Sequence, residues 1–338
     1  MNNEALIQFP SEKIEGYLKV ERFVGPQEDG ICNGVWEFHN LVLDSGLDIL
    51  CTTFGPIRDT VFSRCSVGTS NTAPAAGQTL LLGAVGSTTT KVDLGVSYVT
   101  GPPPYVERAV QYDFAVGAIV ANIAEIGIGP GTYNVTPLMS RSLVLDGGGS
   151  PTVVSVLVTE SLRVTYYLRN YIITTDTVGI VTIGGINYDY TIRAALWNTA
   201  VPTSNSPFPG GWTSVDGGTD AGGLFIRLTL STYGLAGTGR IGAYSTQTLN
   251  TIDLSPATTG GAETCGTYAP VAYVSGDHYR DTVVTIGLTE ANSLTGGIGA
   301  ILYGGYYGKY QMSFNPKLPK TALNAFALRL RISLSNYP

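Results

Sequence analysis

The chain has 338 residues, of which 13% are charged and 43% hydrophobic, with 43 glycines and 18 prolines. That apolar share excludes a disordered chain, and a net charge of -6 leaves nothing to neutralise a row of phosphates, which argues against nucleic acid as a partner. Few ionisable groups remain for acid–base chemistry, and the length suggests two domains.

The first residues, MNNEALIQFP, carry no basic stretch, apolar run or small-residue cleavage site of a leader. No stretch approaches the ~18 apolar residues of a membrane span, so no membrane insertion is expected. Leu18 with Val20 and Trp36 with Phe38 open a series of short amphipathic strands. Residues 44–48, DSGLD, have the form of a capping box with Ser45 as N-cap. This predicts two helical turns near residues 45–53, burying Leu47, Leu50 and Cys51 and ending at Gly55-Pro56.

Tyr112 with Phe114 marks another strand. The GIGPG of 127–131 and the GLAGTGRIG of 234–242 precede no credible helix, so they read as turns rather than phosphate cradles. Leu162, Val164, Tyr166 and Leu168 alternate with Arg163, Thr165, Tyr167 and Arg169, giving one buried face and one wet one. Val154, Val156 and Val158 share that parity and would carry Glu160 onto the apolar face, so a bend near Glu160-Ser161 is expected. Val283 with Ile286 or Leu288 marks a further strand, and Phe326, Leu328, Leu330, Ile332 and Leu334 alternate in the last one.

The halves echo one another. Tyr105-Val-Glu-Arg108, AEIGIGPG, LMSRSLV and LRVTYYLRNY (162–171) recur in order as His278-Tyr-Arg280-Asp, GGIGAILYGG, YQMSF and LRLRISLSNY (328–337). The expectation is all-β: two tandem antiparallel β-sandwich, jelly-roll-like domains, residues 1–172 and 173–338.

Chemistry is sparse. Cys32, Cys51, Cys65 and Cys265 have no metal-ligand spacing and read as small buried hydrophobes of a reducing cytoplasm. His39 and His278 are the only histidines and no G-x-S-x-G elbow is present. Glu125, Glu160, Asp216, Asp220, Glu263 and Asp277 are the acids a glycosidase pair could draw on, but solvated loops are the plainer reading. Asp216 and Asp220 flank a glycine run without calcium-loop periodicity, so no metal or other cofactor is expected. Aromatics give the stronger signal. Tyr303, Tyr306, Tyr307 and Tyr310 fall within eight residues, and Trp197, Phe208 and Trp212 bracket a Pro/Ser/Gly-rich loop. Such rings suit contact with a partner or a glycan, or else cap the ends of a core.

In order along the chain, residues 35–50 (VWEFHNLVLDSGLDIL), 67–81, 124–130, 140–144, 158–171 and 312–335 resemble structural proteins of tailed-phage virions. These are tail, tail-fibre or tail-appendage components. The resemblance covers about half of the chain, leaves 175–300 unmatched and transfers no catalytic residue. It implies a non-enzymatic virion subunit, made in the host cytoplasm, whose partners are copies of itself and other tail or neck proteins. A receptor-binding module touching a host glycan or outer-membrane protein, and a capsid-decorating protein, are the alternatives. Sparse charge suits a surface covered by neighbouring copies, because desolvating an unpaired charge is costly.

Overall fold

The computed structural model describes residues 5–52, 61–99, 101–171, 173–194, 241–249, 262–304 and 309–337. The protein is all-β, with a single helix among the described residues. No described helix is long and apolar enough to cross a membrane. The chain divides into two compact units. One comprises chiefly Lys13–Thr53, Ile57–Tyr171 and Ser335–Pro338, the other Ile172–Leu334 with Met1–Glu12. The division falls beside Tyr171, and the two chain ends are exchanged between the units.

The chain begins with β1 (Ala5–Gln8), which belongs to the C-terminal unit. The N-terminal unit holds β2 (Glu12–Val24), β3 (Ile31–Val42), α1 (Asp44–Thr52), β4 (Arg64–Gly68), β5 (Ala84–Thr88) and β6 (Lys91–Val99). It continues through β7 (Tyr105–Phe114), β8 (Ala121–Ile123), β9 (Glu125–Gly129), β10 (Ser140–Leu143), β11 (Val154–Val156) and β12 (Glu160–Tyr171). Its ladder runs β6–β7–β12–β2–β3–β10–β9–β4–β5, every pair antiparallel. β5 passes directly into β6, and Thr88 and Thr90 at that corner both bond to the backbone of Asp113 in β7. The ladder therefore returns on itself, which leaves few free edges. β8 and β11 form a small pair of their own.

Alternation sets the core. Leu18, Val20, Val110, Tyr112, Phe114, Leu162, Val164, Tyr166 and Leu168 are buried on one face of β2, β7 and β12. The strand over residues 154–160 breaks where its parity requires. The Leu157 carbonyl accepts the Glu160 amide at 2.9 Å, closing a turn, and leaves Leu157 and Val158 exposed. Glu160 is buried, but its carboxylate accepts bonds from the Leu157 amide at 2.8 Å and the Asn33 side chain at 3.2 Å. The Leu157 bond holds its pKa below the usual value.

Two local expectations need correction. The helix cap lies two residues earlier than Ser45: the Leu43 carbonyl accepts the Leu47 amide, making Leu43 the N-cap, while the Ser45 hydroxyl donates to the Leu138 carbonyl at 2.6 Å. Leu47, Leu50 and Cys51 are buried, and a Cβ at Gly46 would run into the Met139 carbonyl. The GIGPG stretch is not all turn, since Gly127 and Gly129 lie in β9. β4, β9 and β10 are buried on both faces, because the connections around Leu81 and Leu138 cover the side away from the core. A Cβ at Gly127 would lie 2.6 Å from Leu138.

The C-terminal unit adds β13 (Thr177–Ile183), β14 (Ile186–Ala194), β15 (Ile241–Tyr244), β16 (Ala262–Cys265) and β17 (Thr267–Pro270). Then follow β18 (Tyr279–Ile286), β19 (Ile298–Gly304), β20 (Lys309–Leu318) and β21 (Phe326–Asn336). One ladder runs β13–β14–β20–β19–β15–β16 and another β17–β18–β21. Taken in chain order, β13 to β21 repeat the pairings of β2, β3, β4, β5, β6, β7, β9, β10 and β12, with one substitution. β2 pairs antiparallel with β12, whereas inside the C-terminal unit β21 is flanked by β1, which runs parallel to it. The sequence echo between the halves lies on matching strands, β7 with β18, β9 with β19, β10 with β20 and β12 with β21. In β18 the buried parity is Val284 and Ile286, with Val283 only half-buried.

Candidate interaction surface

Period-two alternation in β7, β12, β2 and β3 turns a second set of side chains away from the core. Arg163, Thr165, Tyr167, Arg169 and Tyr171 of β12 oppose Glu21, Lys19, Tyr17, Glu15 and Lys13 of β2. On the other side they oppose Asp113, Gln111, Ala109, Glu107 and Tyr105 of β7. Tyr17 in turn stands opposite His39 of β3, and Lys19 opposite Glu37. Opposite charges and rings thus meet across neighbouring strands, the favourable arrangement on a sheet face.

Arg169 is the centre of this face. Its guanidinium lies over the ring of Tyr17 at 4.7 Å and that of Tyr105 at 5.1 Å, and bonds Glu107 at 2.7 Å and Glu15 at 3.3 Å. Glu15, 8% exposed, also accepts the Tyr171 hydroxyl at 2.5 Å and lies 2.6 Å from His39 Nδ1. Burial and that carboxylate push the Tyr171 hydroxyl to a higher pKa. The rings continue outward: Tyr17 lies 6.0 Å from Tyr167, and Tyr171 stacks on Tyr337 at 4.0 Å. The result is a rigid patch of tyrosine faces fixed by charge-assisted bonds.

The C-terminal unit carries a smaller counterpart. Asp281, 3% exposed, receives Arg331 at 2.7 Å and Arg329 at 2.6 Å, and the Arg331 guanidinium lies 3.5 Å over the Tyr279 ring. Burial alone would raise the Asp281 pKa, but the bonds from Arg331 and Arg329 outweigh it and hold it low. Beside this cluster is a cleft of about 100 Å³ lined by Tyr273, Asp277, Arg280 and Arg329.

Trp197, Phe208, Trp212, Tyr306 and Tyr307, expected to contact a partner, lie outside the described residues, as do Asp216 and Asp220. Tyr303 pairs with Tyr310 across the β19–β20 hairpin. Tyr310 is not a surface ring: it is 4% exposed, edge-on to Phe9 at 5.2 Å, because β20 alternation turns it inward with Met312 and Phe314. The remaining acids have separate partners: Glu125 pairs with Arg141, and Glu263 accepts the Ser293 amide at 2.9 Å. His39 lies within β3 and His278 in a positive-φ loop position. Cys51, Cys65 and Cys265 are buried, but Cys32 is exposed on β3. Among the described residues no group of His, Cys, Asp and Glu is placed to hold a metal ion.

The tyrosine–arginine face is not legible in the sequence because its members are scattered from Lys13 to Tyr337. The signal available was the wet parity of 162–171, read one strand at a time. No family model, no curated protein and no solved structure matches the chain.

Proposed function

We propose that the chain is a non-enzymatic structural subunit of a tailed-phage virion, a tail or tail-appendage component that assembles as a homo-oligomer. One observation carries this reading. Most of the stretches that resemble such proteins fall on strands in both units: 35–50 spans most of β3 and α1, 124–130 and 140–144 hold β9 and β10, 158–171 holds β12, and 312–335 covers parts of β20 and β21, while 67–81 lies mostly in the connection after β4. A resemblance confined to loops would say little about fold; one that follows the core strands bears on it. Mass photometry of the purified protein, with detection of the chain in intact particles, is the test. The expected result is a defined oligomer incorporated into virions. A 35.6 kDa monomer at micromolar concentration, absent from particles, overturns the proposal.

A second reading, host-surface contact, is favoured by the ring face of Tyr17, Tyr105 and Tyr167, since sugar faces stack on such rings. It predicts that purified protein adsorbs to host cells and that Tyr17→Ala and Tyr167→Ala, while still folded, abolish adsorption. Unchanged adsorption rejects it.

A further inference from the structure

Strand β3 has one bonded edge and one open edge. β2 pairs with it along Ile31–Asn40, whereas β10 pairs only with Leu41 and Val42 and touches His39 through the Ser142 hydroxyl. Among the described strands, none other is bonded to β3. Its counterpart β14 is covered on both sides, by β13 and, along Asp189–Ala194, by β20. The cause is strand length: β10 has 4 residues where β20 has 10. Among the described residues, the N-terminal unit therefore leaves vacant a lane that the same topology fills, in the C-terminal unit, with an antiparallel strand.

The open edge presents bonding groups. The His39 carbonyl accepts the Ser142 hydroxyl at 3.0 Å, so it points away from β2. The N–H and C=O of one strand residue point to the same side, alternating along the strand. Val35 and Glu37 therefore also offer theirs to the open side. Natural sheets blunt such edges with lysine, proline or a bulge; Ile31–Asn40 contains no lysine or proline, and its one bulge, at Asn33, leaves Gly34–Asn40 in regular register. Instead Ile31 and Val35 are 75% and 51% exposed.

We infer that this edge is closed by β3 of a second copy of the chain, antiparallel across a two-fold axis. The inference rests on the reading of the chain as a self-assembling subunit and says which strand joins the copies. A two-fold contact requires a self-complementary surface, and this one meets the requirement. Glu37 is the one Asp, Glu, Lys or Arg in the stretch. A pairing centred on Val35 sets Glu37 against Asn33, so like charges do not oppose each other. It also sets Trp36 against Gly34, the residue over which the indole of the same chain already lies. The stretch free on both sides of Val35, Cys32 to Phe38, makes about seven residues of strand, roughly 23 Å, available for bonding.

Two variants test it. Val35→Pro removes an N–H that faces away from β2, the position where an edge strand tolerates proline. Val35→Lys places like charges opposite each other at the axis. Circular dichroism establishes that both fold; mass photometry over a concentration series and amide hydrogen exchange give the readout. The expected result is a wild-type oligomer in which the Val35 and Glu37 amides are protected until dilution, and association weakened at least about tenfold in either folded variant. If the wild type assembles but both folded variants assemble equally well, the inference is overturned while the subunit reading stands. It is also overturned if those amides exchange freely in the oligomer, or stay protected in the diluted monomer because something else covers the edge. A wild type that never associates overturns both readings.

Discussion

Glu125 and Arg141 are both 0% exposed, joined at 2.7 Å on the covered side of β9 and β10. Arg141 also bonds Gln78 and the Thr72 carbonyl at 2.8 and 2.9 Å, and Glu125 accepts the Gly83 amide at 2.6 Å. The pair thus ties the connection around residues 72–83 to the sheet. Removing one partner from such a pair strands the other in a low-dielectric site, at a cost of about 3–5 kcal/mol. Glu125→Gln is therefore expected to lower unfolding stability by that order in urea titration, and the double variant Glu125→Leu/Arg141→Met to recover much of it. A Glu125→Gln protein as stable as wild type would mean that the pair is not buried. Nothing in the sequence foretold this contact. A lone arginine on a strand usually faces water.

At the scale of elements, legibility follows how many faces of a strand are covered. β12 and β21, with one dry face, were readable in that face: Leu328, Leu330, Ile332 and Leu334 are all buried as their alternation requires, although Phe326 is only half-buried and Thr165, on the wet side of β12, is buried. β4, β9 and β10 were not, because burial on both faces erases the period-two signal. Helix α1 was legible in its buried positions, though not in its cap, where tertiary contact with Leu138 takes the Ser45 hydroxyl. Of the partner-contact residues, Tyr310 was misread because an aromatic among glycines looks the same in a core hairpin as in a loop. The pairing of β18 with β21 adds a pH dependence. Asp281 is held below its ordinary value of 3.8 by Arg331 and Arg329, so its folded form binds protons less readily than the unfolded chain. Its contribution is complete at neutral pH and is lost as pH falls through the depressed folded value. Denaturant titrations from pH 7 to pH 2.5 are expected to show a steep loss below about pH 4, shallower in Asp281→Asn; equal slopes would reject the assignment.

For the whole molecule, two units of matching strand succession come from one chain, and the repetition was visible as a weak echo of short motifs. What the echo did not reveal is that the ends are exchanged, for reasons of pairing rather than pattern. Ala5, Leu6, Ile7 and Gln8 add to β21 in parallel, while Tyr337 donates its amide to Ile14 at 2.8 Å in the N-terminal unit. Deleting residues 1–9 is expected to speed amide exchange in β21 and β18 and to leave β7 of the N-terminal unit protected; uniform loss of protection in both would argue against this assignment.

The pairing of β1 with β21 also has a consequence in time. A ribosome makes Ala5 well before Leu328, and at ~5–20 residues per second the interval over the roughly 320 residues between them is on the order of tens of seconds. Through it, a short apolar strand must wait without its neighbour while most of the chain is still being made. The C-terminal unit is thus completed only once β21 has been made, and a polypeptide cut short before β21 leaves β1 without the strand it pairs with.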